Sequence, residues 1–152
     1  MKLYQHKSSQ KLSIPKNDAW KFFSNPANLS KITPPWLSFQ VTSSLPDKMY
    51  AGLITSYLVR PLLNIPQTWV TEITQVNEPN YFVDEQRFGP YKMWHHEHIF
   101  KETENGSVFM EDIVSYVVPF GFLGRIVNKL VISKKINEIF NFRREVLIKM
   151  FR

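Results

Sequence analysis

Between Tyr81 and Phe100 the chain alternates in character from one residue to the next. One parity carries Phe82, Asp84, Gln86, Trp94, His96, His98 and Phe100; the other carries Val83, Glu85, Arg87, Met93, His95, Glu97 and Ile99. Residues two apart share a face of a β-strand, so this alternation predicts strands. The second set suits a wetted face. The first mixes large aromatics with two histidines, a carboxylate and an amide, which suits the wall of a small-molecule pocket better than a uniformly packed core.

The same reading extends along the chain. Strands are predicted over Leu3–Ser13, Leu37–Ser44, Leu53–Arg60, Thr68–Asn77, Tyr81–Phe88, Met93–Glu102 and Val108–Val118. Their separators, LPDKMYAG, PLLNIPQ, NEPN, FGPYK and ENG, are turn-like. After the first strand, PKNDAWKFFS predicts a short helix capped by Ser13 or Asn17, with Ala19, Phe22 and Phe23 as its apolar stripe. Asn25-Pro26 breaks it and starts a second short helix, PANLSKI. Past Pro119, Gly121 and Gly124, a segment free of proline and glycine repeats apolar residues at helical spacing: Ile126, Leu130, Ile136, Ile139, Phe140, Leu147 and Phe151. As a helix it spans about 40 Å.

The order is therefore strand, two short helices, six strands and a long C-terminal helix. Short turns between consecutive strands favour an antiparallel sheet, and one amphipathic helix is available to cover its concave face. That is a two-layer α+β domain with about seven strands. No linker or repeat interrupts it, so residues 1–152 are expected to form a single domain.

Composition narrows the chemistry. The chain has 152 residues, 43% hydrophobic and 21% charged, with a high aromatic share of 14%. The absence of cysteine excludes disulfides, thiol nucleophiles and cysteine-ligated metal. No apolar leader and no membrane-spanning run is apparent, which gives a cytoplasmic location as the expectation. The net charge of +6 resides entirely in Phe122–Arg152, which has eight basic residues and two acids. This is read as a solvated helix face, with an anionic membrane surface as the alternative. Nucleic acid is not expected as a partner, because aromatics are not interleaved with the cations on a strand surface.

Turn chemistry sets which polar residues meet. A three-residue loop, Glu104-Asn105-Gly106, with the glycine left-handed, pairs Thr103 with Ser107. His98 then faces Asp112, His96 faces Val114 and Trp94 faces Tyr116. If the FGPYK loop closes symmetrically, Asp84 faces His96 and Gln86 faces Trp94. A two-residue Asn-Gly turn would instead put His98 opposite Ile113. The first register places acids beside histidines.

The pieces FSNPANLSKITPPW (Phe23–Trp36), FVDEQRFGPYKMWHHEHIF (Phe82–Phe100), DIVSYVVPFGFLG (Asp112–Gly124) and IFNFRREVL (Ile139–Leu147) resemble the START-like (SRPBCC) ligand-binding superfamily. The likeness is to a bacterial branch related to polyketide cyclase/dehydrase-like domains, and its most specific element is GPY followed by W-x-H-x-H-x-F. The resemblance implies a helix-grip fold, a curved antiparallel sheet of about seven strands wrapped round the C-terminal helix, with an apolar cavity between them. It implies no particular reaction.

The expected function is binding of a hydrophobic or aromatic small molecule. Phe82, Trp94, Phe100, Ile136 and Phe140 would supply apolar wall, and Asp84, Gln86, His96, His98, Asp112 and Tyr116 would supply orientation. The alternatives are a cyclase/dehydrase-type enzyme moving a proton with a His–Asp pair drawn from His98, Asp112, His96 and Asp84, and a lipid carrier or membrane-surface module. Two histidines two apart on a strand are a loose geometry for metal, so no metal or other cofactor is expected. His95 belongs to the outer face, Arg60 is expected to point to water, and Trp69 and Ile73 line core or cavity.

Overall fold

The hairpin at Glu104–Gly106 fixes the centre of the sheet. In a computed structural model describing residues 1–151, Gly106 has φ +76° and Thr103 N–H donates to the Ser107 carbonyl at 2.9 Å. A left-handed residue at this position is what a three-residue hairpin loop requires, and only glycine adopts it without strain. The expected register follows: Trp94 faces Tyr116, His96 faces Val114 and His98 faces Asp112. Across the other edge of the same strand, Asp84 faces His96.

The strands are β1 (Tyr4–Leu12), β2 (Gln40–Val41), β3 (Ile54–Val59), β4 (Gln67–Asn77), β5 (Tyr81–Phe88), β6 (Met93–Glu102) and β7 (Val108–Val117). They form one antiparallel sheet in the order β1-β7-β6-β5-β4-β3-β2. The β4–β5 ladder shifts register twice, with Arg87 of β5 extra between the Val70 and Thr71 pairs and Thr74 of β4 extra between the Ile73 and Gln75 pairs; such bulges bend a strand and help the sheet curve.

Three expectations need correction. Leu37–Ser44 is not a full strand. Pro35–Leu37 is a 3-10 turn and Ser38 is left-handed at φ 48°, so extended backbone resumes only at Gln40–Val41. Neither Ser13 nor Asn17 caps α1 (Lys16–Phe23); the N-cap is Pro15, whose carbonyl accepts from both Asp18 N and Ala19 N at 3.1 Å. Proline's preset φ supplies the helix entry there. The second short helix, Pro26–Ile32, is 3-10, and its cap is the Asn25 side chain accepting from Ala27 N at 3.0 Å.

The third correction concerns the long helix. It runs as α2 (Gly121–Val127), a π turn (Asn128–Ile132) and α3 (Ser133–Met150). Its buried line is Gly124, Asn128, Ile136, Phe140, Arg143 and Leu147. Ile126 and Leu130 stand two residues off that line, about 200° round the helix, and face outward instead of joining the stripe. Gly124 shows why the line begins where it does. A Cβ there would lie 1.8 Å from the Pro119 carbonyl oxygen, so α2 rests directly on backbone.

Three apolar clusters fill the concave side. One packs α1 on the sheet through Trp20, which meets Phe82 and Phe100 edge-on. A second joins Trp94, Val114 and Tyr116 to Ile136 and Phe140 of α3. A third gathers Leu37, Tyr57 and Val59. Among the described residues no helix is long and apolar enough to cross a membrane.

Candidate functional site

A cavity of about 160 Å³ lies where the three clusters meet, lined by residues from all of them: Phe23 and Phe82, Trp94 and Phe140, and Tyr57 and Val59. The 3-10 segment contributes Leu29, Ile32 and Thr33, and α3 contributes Ile136, Ile139 and Arg143. Sheet curvature makes the concavity, and α3 closes one side of it.

At one wall the strand alternation delivers Asp84, His96 and His98 to the same face. The side-chain pairing is diagonal as well as direct. His96 Nε2 lies 2.9 Å from Asp112 Oδ1, and His96 Nδ1 lies 3.4 Å from Asp84 Oδ2. His98 Nε2 lies 2.8 Å from Asp84 Oδ2, and His98 Nδ1 lies 3.1 Å from Asp112 Oδ1, off the axis of a hydrogen bond. Each histidine thus bridges both carboxylates, and the two ring centroids lie 3.7 Å apart with their planes tilted by 36°. Phe82 stacks on the other face of His98 at 4.0 Å.

Arg143 reaches this group from α3. Its Nη1 donates to Asp112 Oδ1 at 3.5 Å, while its buried Nε has no partner among the described residues. Arg143 belongs to the basic stretch expected on the solvated helix face, yet it is only 7% exposed. The signal was present in the spacing, because Ile136, Phe140, Arg143 and Leu147 recur every three or four residues on the buried stripe.

Charge within the cluster follows from burial and neighbours. Burial pushes His96 down to about 4, with the adjacent His98 charge adding to the effect. Burial alone would also lower His98, but its contacts with Asp112 and Asp84 outweigh that and raise it above 6.5. Burial acts to raise both carboxyls, yet both are held below the usual range: Asp84 by His96 beside it and by its hydrogen bond to His98, Asp112 by its imidazole partners and Arg143. At a pH between the lowered value of His96 and the raised one of His98, His98 is protonated and His96 neutral; two carboxylates then face two cations and the buried charge cancels, the condition under which such a group is tolerated.

Seven of the expected site residues line the cavity: Phe82, Asp84, Trp94, His96, His98, Ile136 and Phe140. Four do not. Asp112 stands behind the histidines and acts through them. Phe100 is spent in the core against Trp20 and Phe23. Tyr116 stacks on Tyr4 at 5.5 Å. Gln86 donates to the Tyr91 carbonyl at 2.7 Å and accepts from Tyr91 N, clamping the β5–β6 turn. Trp69 and Ile73 do line the cavity. The strand pattern missed Tyr57 and Thr71, which line it beside a hydroxyl chain: Thr55 lies 2.6 Å from the Tyr57 hydroxyl and 3.0 Å from that of Thr71. His95 is on the outer face, paired with Glu85 at 2.7 Å, and Arg60 bonds the Asn64 carbonyl from an exposed position.

Asp84, His96 and His98 each offer one ligand atom, all within 4.8 Å of one another. Two histidines and a carboxylate are a donor set able to hold a divalent ion. Here those atoms are engaged with each other, and Arg143 brings a positive charge to the adjoining Asp112.

No protein-family model and no curated protein matches the sequence. Solved structures do match its fold. A START superfamily protein from Mycobacterium smegmatis superposes with TM-score 0.71 at 10% identity, covering 97% of this chain and 99% of that one. Ginseng major latex-like protein 151 from Panax ginseng gives 0.69 at 9% identity, covering 98% and 97%. A protein from Chromobacterium violaceum gives 0.72 at 10% identity, covering 97% and 96%. The chain has the α+β helix-grip fold seen in the START and major latex-like proteins.

Proposed function

We propose that residues 1–152 act as a single domain that binds a small hydrophobic or aromatic molecule between the sheet and α3. The observation that carries this is a largely apolar cavity with buried polar side chains, Arg143, His96 and His98, gathered at one wall. A cavity of about 150 Å³ holds benzene, so about 160 Å³ admits one ring with short substituents. Burying such a ring supplies roughly 4–6 kcal/mol before ordering costs.

The ligand's polar group would be a neutral acceptor, such as a carbonyl. The two cations of the cluster are already matched by Asp84 and Asp112, so an added carboxylate would be uncompensated. A hydrogen bond from a charged donor is worth about 1.5–3 kcal/mol, or roughly 10–100-fold in affinity. Trp69 and Trp94 line the cavity and report its filling by their emission. Acetophenone is expected to bind roughly tenfold or more tightly than toluene. Arg143→Lys, which keeps a charge facing Asp112 but removes the guanidinium fork, is expected to reduce that preference. Equal affinity of the two probes for the unmodified protein would contradict polar anchoring.

Proton-transfer catalysis by the His–Asp pairs has less support, because all four imidazole nitrogens already face carboxylate oxygens at 2.8–3.4 Å. A cyclase or dehydrase role would require turnover that His98→Ala abolishes while probe binding survives.

A further inference from the structure

Seven large apolar side chains stand exposed between Phe120 and Val131: Phe120, Phe122, Leu123, Ile126, Val127, Leu130 and Val131. Phe120 is 83% exposed, and Phe122 and Leu123 about two-thirds. Isolated exposed apolar residues are ordinary, but a contiguous group on one short segment marks an interaction surface. The buried line of the helix explains its placement, since Gly124 and Asn128 face the protein and the bulky residues take the other side.

The charge around this surface has one sign. Arg125, Lys129 and Lys134 lie within or beside it, and Lys2, Lys92 and Arg125 share a hollow with Phe120 and Phe122. No acidic residue occurs between Asp112 and Glu138. None of these five cations has a carboxylate partner among the described residues.

We propose that α2 and the π turn form a docking surface for an anionic lipid bilayer. Phenyl and aliphatic side chains would enter the boundary between headgroups and acyl chains while the cations meet lipid phosphates. The charge pattern selects this occupant over a second copy of the chain. A two-fold dimer brings the same patch of each copy together, and here that sets cations against cations. The docking is peripheral, through one face of the helix.

Co-sedimentation with vesicles of phosphatidylglycerol and phosphatidylcholine in equal parts tests this. Binding is expected at low salt, weakening as salt rises, with much less binding to pure phosphatidylcholine. Each Lys or Arg near an anionic surface contributes about fivefold in affinity, so Arg125→Gln, Lys129→Gln and Lys134→Gln together are expected to lose on the order of a hundredfold. Phe122→Ser with Leu123→Ser is expected to lose at least about tenfold. Both sets are exposed, and unchanged circular dichroism with unchanged toluene binding would confirm intact folding. Three results would overturn the proposal: no vesicle binding at low salt, binding indifferent to the Phe122/Leu123 pair, or a dimer in light scattering that this pair of substitutions dissolves.

Discussion

Asp112→Ala is expected to lower unfolding free energy by about 3–5 kcal/mol, measured by urea denaturation near neutral pH. Asp112 is buried and faces His96, His98 and Arg143 at 2.9, 3.1 and 3.5 Å. Its removal leaves a guanidinium and a protonated imidazole in the interior with only Asp84 to oppose them. Breaking a buried ion pair from one side costs more than the pair is worth, because the surviving charge loses its compensation. Asp84→Ala is expected to cost less, since the Asp84 side chain keeps 18% of its surface exposed and does not contact Arg143 directly. Nearly equal costs, or a loss below about 1 kcal/mol at Asp112, would mean that water reaches the cluster and screens it.

Stability is expected to peak near pH 6.5 and fall on both sides, with a different histidine responsible for each limb. His96 is pushed down to about 4 by burial and by the neighbouring His98 charge. Between pH 6.5 and 4 the unfolded chain takes up a proton that folded His96 refuses, so stability falls as pH falls, by on the order of 3 kcal/mol. His6, lowered by burial, adds in the same direction. His98 is raised, because its carboxylate contacts outweigh burial. Its contribution is fully present below pH 6.5 and is lost as pH rises through its folded value. The carboxyls, both lowered, contribute above the ordinary carboxylate range and lose that contribution only in stronger acid. Urea midpoints measured across pH check this. His96→Gln is expected to flatten the acid limb and His98→Gln the alkaline limb. A single monotonic profile in the unmodified protein would contradict the assigned protonation states.

The centre of the sheet was legible in the sequence because two independent signals agree there. Alternation gave the facing of Asp84, His96 and His98, and the glycine at Gly106 gave the register that brings Asp112 opposite His98. The diagonal contacts were not legible. Which carboxylate each imidazole nitrogen meets depends on side-chain torsions and sheet twist, and neither is written in residue order. Arg143 was misplaced because a basic residue on an amphipathic helix is ordinarily wet. Its position on the stripe of Ile136, Phe140 and Leu147 was the contrary signal, and the buried Asp112 is what makes that position tenable.

The outward-facing half of the helix was missed for a related reason. Ile126 and Leu130 fit a helical repeat, and a repeat does not say which of two faces the fold will cover. That choice came from Gly124, whose missing Cβ lets α2 sit on the Pro119 carbonyl. Tyr57 and Thr71 reach the cavity from β3 and β4, where their alternation looked like that of any half-buried strand.

Native mass spectrometry of the protein purified from its own host bears most directly on the ligand-binding claim. The predicted result is one non-covalent organic adduct per chain, released on collisional activation and absent from Ile139→Trp, in which the added indole occupies the cavity. An adduct-free spectrum, together with no response of tryptophan emission to toluene or acetophenone, would contradict it.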